Sequence, residues 1–271
     1  MDRRTTPANA RVAALHLRGL VDAPRFYEGE KRMVAVPVTN LAPEPMAMRD
    51  RQLLLGTAVT VYEDRNGWSF VQSDQDEYVG YVRSADIGTG PTPTHRVATP
   101  ATHTYQDEDM KSPDLHRLSF GTRVAVVAER QKFFETPVGY IPKKHLRPLD
   151  RPFTDPATVA QLFFGVPYLW GGNSSDGIDC SGLVQAAHLA CDIPCPADSD
   201  MQRADLGTAT SGDWNRGDLV FWRGHVGIMV DDQTLLHANA HHMAVAYEPI
   251  DAAITRIAAQ DGGPVLAHKR L

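Results

Sequence analysis

The sequence predicts an α+β chain in which two small all-β barrels precede a mixed α/β domain. Three observations carry this expectation. At 271 residues the chain exceeds the usual length of one domain. Two segments repeat: LLLGTAVTV (53–61) aligns with LSFGTRVAV (118–126), and VGYVRSADI (79–87) aligns with VGYIPKKHL (138–146). Past RPLDRPFTDP (147–156) the character changes to a helical start at Asp155–Pro156, Gly-rich loops, a Cys-led helix and strands.

Each repeat has short strands with alternating apolar residues, about 60 residues per copy, which suits a small barrel. A Pro/Thr-rich connector, GTGPTPTHRVATPAT (88–102), separates the copies. The expected domains are therefore an N-terminal helical segment over 1–34, β domains over 35–90 and 91–150, and a C-terminal domain over 151–271. In the first segment Val12, Ala13, Leu15, Leu17 and Leu20 read as a short amphipathic helix starting near Thr6 or Asn9. Arg11, His16 and Arg18 interrupt its apolar positions, so it does not read as a secretory signal.

Composition narrows the function classes. Lys and Arg number 27 against 33 Asp and Glu, a net charge of −6, which argues against a nucleic-acid binder. The longest apolar runs fall far short of the roughly 20 residues a membrane helix needs. Three cysteines, Cys180, Cys191 and Cys195, make an odd count in one third of the chain, which suits a reducing cytoplasm better than a disulfide framework.

The chemistry sits in the last domain. In PYLWGGNSSDGIDCSGLVQAAHLA, Cys180 opens an apolar stretch of helical spacing behind a Gly/Ser-rich loop. A cysteine in the first turn of a helix has its thiolate stabilised by the helix dipole and free backbone N–H groups. Downstream, residues 219–222, 225–230 and 234–240 read as strands, with Asp231 and Asp232 in the turn between the last two. A hairpin centred there pairs residues whose numbers sum to about 462, which sets His225 opposite His237. One imidazole then faces the cysteine while the other holds it, the nucleophile–base–orienter arrangement of acyl transfer. His241 and His242 read as loop residues.

PYLWGG, DCSG, RGDLVFW and HVGI in this order resemble the NlpC-type bacterial cell-wall cysteine peptidases, with their papain-like fold, and the β repeats resemble bacterial SH3-like domains. The resemblance implies Cys180 as nucleophile, His225 as general base and His237 as the third polar residue. It also implies Tyr168 near the oxyanion and substrate, with Asp179 and Ser181 flanking the nucleophile. The string PADSDMQ (196–202) is similar to that of the γ-D-glutamyl-L-diamino-acid peptidases, which implies Asp198, Ser199 and a tyrosine of the first SH3-like domain, Tyr78, in the substrate pocket. Tyr81 reads instead as barrel core.

What the resemblance implies is a cytoplasmic cysteine peptidase acting on short murein peptides with a free L-Ala, needing no cofactor. An exported wall endopeptidase and a non-catalytic wall-binding protein are the alternatives. His188, Cys191 and Cys195 have metal-like spacing, but a structural zinc site needs four ligands and no fourth is evident. The acidic run DQDE (74–77) lacks the pattern of a calcium loop.

Overall fold

A computed structural model describes residues 1–260 and 262–271. The chain divides into two compact units, Met1–Leu149 and Asp150–Leu271.

The first unit is built from antiparallel β ladders. Its first part is a five-stranded sheet in the order Val79–Arg83, Trp68–Ser73, Ala58–Arg65, Glu30–Val34, Ile87–Gly88. A hairpin of Val38–Leu41 and Arg51–Leu54 joins it through the Ala42–Tyr81 bridge. The second part has a five-stranded sheet containing Asp114–Ser119 and Gly139–Pro142, and a three-stranded sheet around His95–Val97. The repeat seen in the sequence has a backbone basis. Gly56 and Gly121 occupy the same turn with φ of +79° and +83°, a conformation that favours glycine. Tyr81 is core, its ring centroid 5.0 Å from that of Phe70. The ladders are barrel-like, as expected of SH3-like units, and end in strands of only two residues, Ile87–Gly88 and Ala128–Glu129.

The N-terminal segment differs from expectation. Val12–Ala14 is a strand paired in parallel with Arg25–Tyr27, and Leu15–Leu17 forms a single 3₁₀ turn instead of an amphipathic helix. The reason is local. The Asn9 side chain accepts the N–H groups of Arg11 and Val12 and turns the chain, and Val12, Ala13 and Ala14 are then all buried. A continuous buried run is a strand signature that a helical spacing can mimic.

The second unit is a six-stranded antiparallel sheet with helices. Its order is Thr208–Ala209, Ala267–Arg270, Leu219–Trp222, His225–Met229, Thr234–Asn239, Ala244–Pro249. Helix α1 (Pro156–Gln161) starts where expected: Asp155 caps it by accepting from the Ala157 N–H, with Pro156 at the first position. Helix α2 (Cys180–Ala190) buries Leu183, Val184 and Ala187 completely. Helix α3 is Ser199–Asp205, and α4 (Ile250–Ala259) packs Ile250, Ala253 and Ile257 on Val220, Met229 and Leu235 of the sheet. The C-terminal strand is tied in by buried Asp218, which accepts from His268 at 2.6 Å and from Arg270 at 2.7 Å.

Candidate active site

Cys180 is the first residue of α2, and Asp179 is its N-cap. The Asp179 carboxylate accepts from the Gly182 N–H at 2.7 Å, from the Gly171 N–H at 2.9 Å and from the Ser181 hydroxyl at 3.2 Å. Expected beside the substrate, it thus ties the helix start to the YLWGG loop. The glycines there allow close approach. A Cβ on Gly182 would lie 2.5 Å from the Gly172 carbonyl oxygen, a backbone atom that cannot rotate away. Gln202, fully buried on α3, donates to the carbonyls of Ser181 and Pro196, both at 2.9 Å, and so holds the same helix start from the other side.

The sulfur is set against the backbone that flanks His225. Its Sγ lies 4.0 Å from the Gly224 carbonyl oxygen, and the N–H groups of Val226, Ser181 and Cys180 itself favour the thiolate. Burial outweighs them, and the Asp179 charge acts in the same direction, so the thiol is pushed up to about 12. The expected thiolate at the helix start is therefore a neutral thiol in the free protein: a helix N-terminus stabilises an anion only to the extent that desolvation does not cost more. The consequence is testable by alkylation. Iodoacetamide labelling of Cys180, resolved by peptide mapping, rises about tenfold per pH unit from about pH 7 to 10. A plateau at lower pH would mean a preformed thiolate–imidazolium pair.

His225 and His237 meet. Nε2 of His225 is 2.9 Å from Nδ1 of His237. The strands differ slightly from expectation, at His225–Met229 and Thr234–Asn239, and the turn uses Asp231 to accept from the Gln233 and Thr234 N–H groups. The register differs too. Ile228 pairs with Leu236 and Met229 with Leu235, which moves each partner by two residues, so His225 and His237 are diagonal neighbours rather than opposite. Side chains alternate with period two, and a slip of two leaves both imidazoles on one face. Burial holds both rings below the ordinary imidazole range, leaving them neutral and able to accept a proton.

Beyond His237 lies a residue that sequence reasoning missed. Nε2 of His237 is 3.0 Å from a carboxylate oxygen of Glu248 on the next strand, and Glu248 is paired with Arg256 of α4 at 2.7 Å. Glu248 lies outside every recognisable string; only the register of a second hairpin, Leu235 with Glu248 and His237 with Ala246, brings it to the same face.

Tyr168 is partly buried, and burial together with the nearby Cys180 and Asp179 raises its hydroxyl above the usual phenol range. Asp198 and Ser199 are partly buried at the start of α3, where Asp198 occupies the N-cap position without a side-chain cap bond. Tyr78 belongs to the first unit, buried with the Arg51 guanidinium 5.5 Å over its ring. His241 and His242 lie in the turn after the His237 strand. His237, His242 and Glu248 present three donors within 4.8 Å of one another, but the Glu248 oxygens already accept from Arg256 and His237, so a cation would compete with a guanidinium.

No helix is long and apolar enough to cross a membrane among the described residues. Residues 165–257 match the NlpC/P60 family, and residues 41–87 match the bacterial dipeptidyl-peptidase Sh3 domain. A Bacillus cereus protein named gamma-D-glutamyl-L-lysine dipeptidyl-peptidase is 23% identical over 236 residues, covering 74% of this chain and 71% of its own. Its namesake from Bacillus subtilis is 28% identical over 214 residues, covering 69% and 71%. A crystal structure of an NlpC/P60 family protein from Bacillus cereus shares the fold, with a TM-score of 0.74 at 21% identity over 89% of this chain and 99% of that one. The chain thus carries an NlpC/P60 peptidase domain of papain-like fold over residues 165–257, preceded by an SH3 domain of the bacterial dipeptidyl-peptidase type over residues 41–87.

Proposed function

We propose that the protein hydrolyses the bond between γ-D-Glu and the diamino acid of short murein peptides bearing a free N-terminal L-Ala, as a step in reuse of those peptides in the cytoplasm. The observation that supports the chemistry is the His225–His237 contact beside a cysteine at the first position of a helix. The substrate class is supported by relatives named dipeptidyl-peptidases, whose alignment with this chain is longer than either compact unit and so involves both.

In this reading Cys180 Sγ attacks the γ-glutamyl carbonyl carbon as its proton passes to neutral His225. The Cys180 N–H holds the oxyanion. Breaking the C–N bond takes that proton to the leaving diamino acid, and a water activated by His225 then releases the acyl group from sulfur. Tyr168 and Ser181 flank the reacting carbon. We assign the substrate ammonium to Asp198, with Ser199 beside it, because a carboxylate at the next helix start is the natural partner for a cation.

The test compares the free tripeptide with its N-acetylated form. Acetylation removes the charge that Asp198 would pair, and kcat/KM falls by about 10²-fold, the effect of losing one partner of a desolvated charge pair. Asp198→Asn shrinks that ratio. Equal kcat/KM for the two peptides would contradict action from the free amino end and point to an endopeptidase.

A further inference from the structure

We propose that Glu248 is a positioning residue: by accepting a hydrogen bond from Nε2–H of His237 it fixes the tautomers of both imidazoles and leaves Nδ1 of His225 as the bare nitrogen that takes the Cys180 proton. This rests on the reading of His225 as the general base and adds to it the atom involved and the residue that selects that atom.

Arg256 donates through Nε to one oxygen of Glu248 at 2.9 Å and through a terminal nitrogen to the other at 2.7 Å. A carboxylate held this way is ionised, and an ionised carboxylate only accepts hydrogen bonds. The nitrogen facing it, Nε2 of His237 at 3.0 Å, must therefore carry a proton. His237 is buried and held neutral, so its other nitrogen, Nδ1, has only a lone pair. That lone pair lies 2.9 Å from Nε2 of His225, which must then be the donor. A neutral His225 protonated at Nε2 has its lone pair at Nδ1. One carboxylate thus dictates protonation two rings away, with no contact to the cysteine.

Three neighbours bear on the relay. Arg256 disfavours a charged His237, Glu248 favours it, and His242, with its ring centroid 6.5 Å away, disfavours it. His242 is itself oriented by donating its Nδ1–H to the Asn239 side-chain oxygen at 3.0 Å, and the Nε2 proton of His237 is directed to Glu248. Geometry also agrees across the sheet: each step of the relay is one strand further, from His225–Met229 to Thr234–Asn239 to Ala244–Pro249.

The experiment is nitrogen NMR of the histidine rings in the free full-length protein at about pH 8, with single-histidine variants for assignment. The expected spectrum shows His225 and His237 both protonated at Nε2 and bare at Nδ1. His225 protonated at Nδ1 would overturn the proposal. Two variants separate acceptor from scaffold. Glu248→Met removes the acceptor; the rings lose this tautomer pattern and kcat falls by about 10-fold, short of the 10²–10⁴-fold expected when the base itself is removed, with a smaller change in KM. Arg256→Met breaks the ion pair but keeps the acceptor, and the tautomers stay as in the unaltered protein. Equal loss of the pattern in both variants would reduce Glu248 to a structural ion pair and reject the proposal. The spectra need no substrate, so a failure to cleave murein tripeptides would overturn the proposed function and leave this assignment standing.

Discussion

Cys180→Ala abolishes hydrolysis, a fall of about 10⁴-fold or more in kcat, while the protein keeps its fold. The size follows from losing the thiol that forms the acyl bond, and the next residue, Ser181, has its hydroxyl directed to Asp179. Stability changes little. The thiol lies in a desolvated site, and its contact with the Gly224 carbonyl at 4.0 Å is too weak for its loss to matter. Cys191→Ala and Cys195→Ala retain activity, because one follows the end of α2 and the other lies in the loop before α3. Circular dichroism and thermal melting of the three variants, with initial rates, check this. Loss of activity in Cys195→Ala with an intact melt, and its retention in Cys180→Ala, would reassign the nucleophile.

His225→Ala costs about 10²–10⁴-fold in turnover, and His237→Ala costs less. The base moves the proton in every cycle, whereas the orienter sets which nitrogen and which ring angle are presented. Without His237 the His225 ring still samples the productive tautomer part of the time. His241 and His242 lie in the turn after the His237 strand, and His241→Ala leaves turnover within about twofold. Steady-state kinetics on the three variants decide it. A His241→Ala defect as large as that of His225→Ala would mean the wrong imidazole faces Cys180.

Much of the site was legible because its signals are local. A cysteine after Gly-rich loop residues and before an apolar helical run marks a helix start, and α2 begins at Cys180. Two histidines flanking a turn with aspartates mark a hairpin, and the rings do meet. The register was less legible, since the Asp231 turn is set by which N–H groups its carboxylate accepts, a choice made after the chain folds. Parity rescued the inference: a slip of two changes the partner but not the face. Glu248 was invisible for a different reason. Its role depends on pairing across a second hairpin and on Arg256 from α4, two long-range contacts that no spacing rule encodes. The same limit applies at the other end of the chain, where Val12 to Leu17 has spacing suited to a helix and the contacts of Asn9, Arg11 and Glu63 make it a strand and a turn. The neutral state of Cys180 belongs with these, because the sequence shows the helix dipole but not the depth of burial that opposes it.

The property that decides the function is the identity of the bond that Cys180 attacks. Its most direct test is mass spectrometry of the products from synthetic L-Ala-γ-D-Glu-diaminopimelate and its L-lysine counterpart, incubated with the unaltered protein and with Cys180→Ala. The expected products are the dipeptide L-Ala-γ-D-Glu and the free diamino acid, released by the unaltered protein alone. Release of free L-Ala with the γ-glutamyl bond intact, or no cleavage of either tripeptide by protein whose Cys180 is shown to be reduced, would contradict the proposed function.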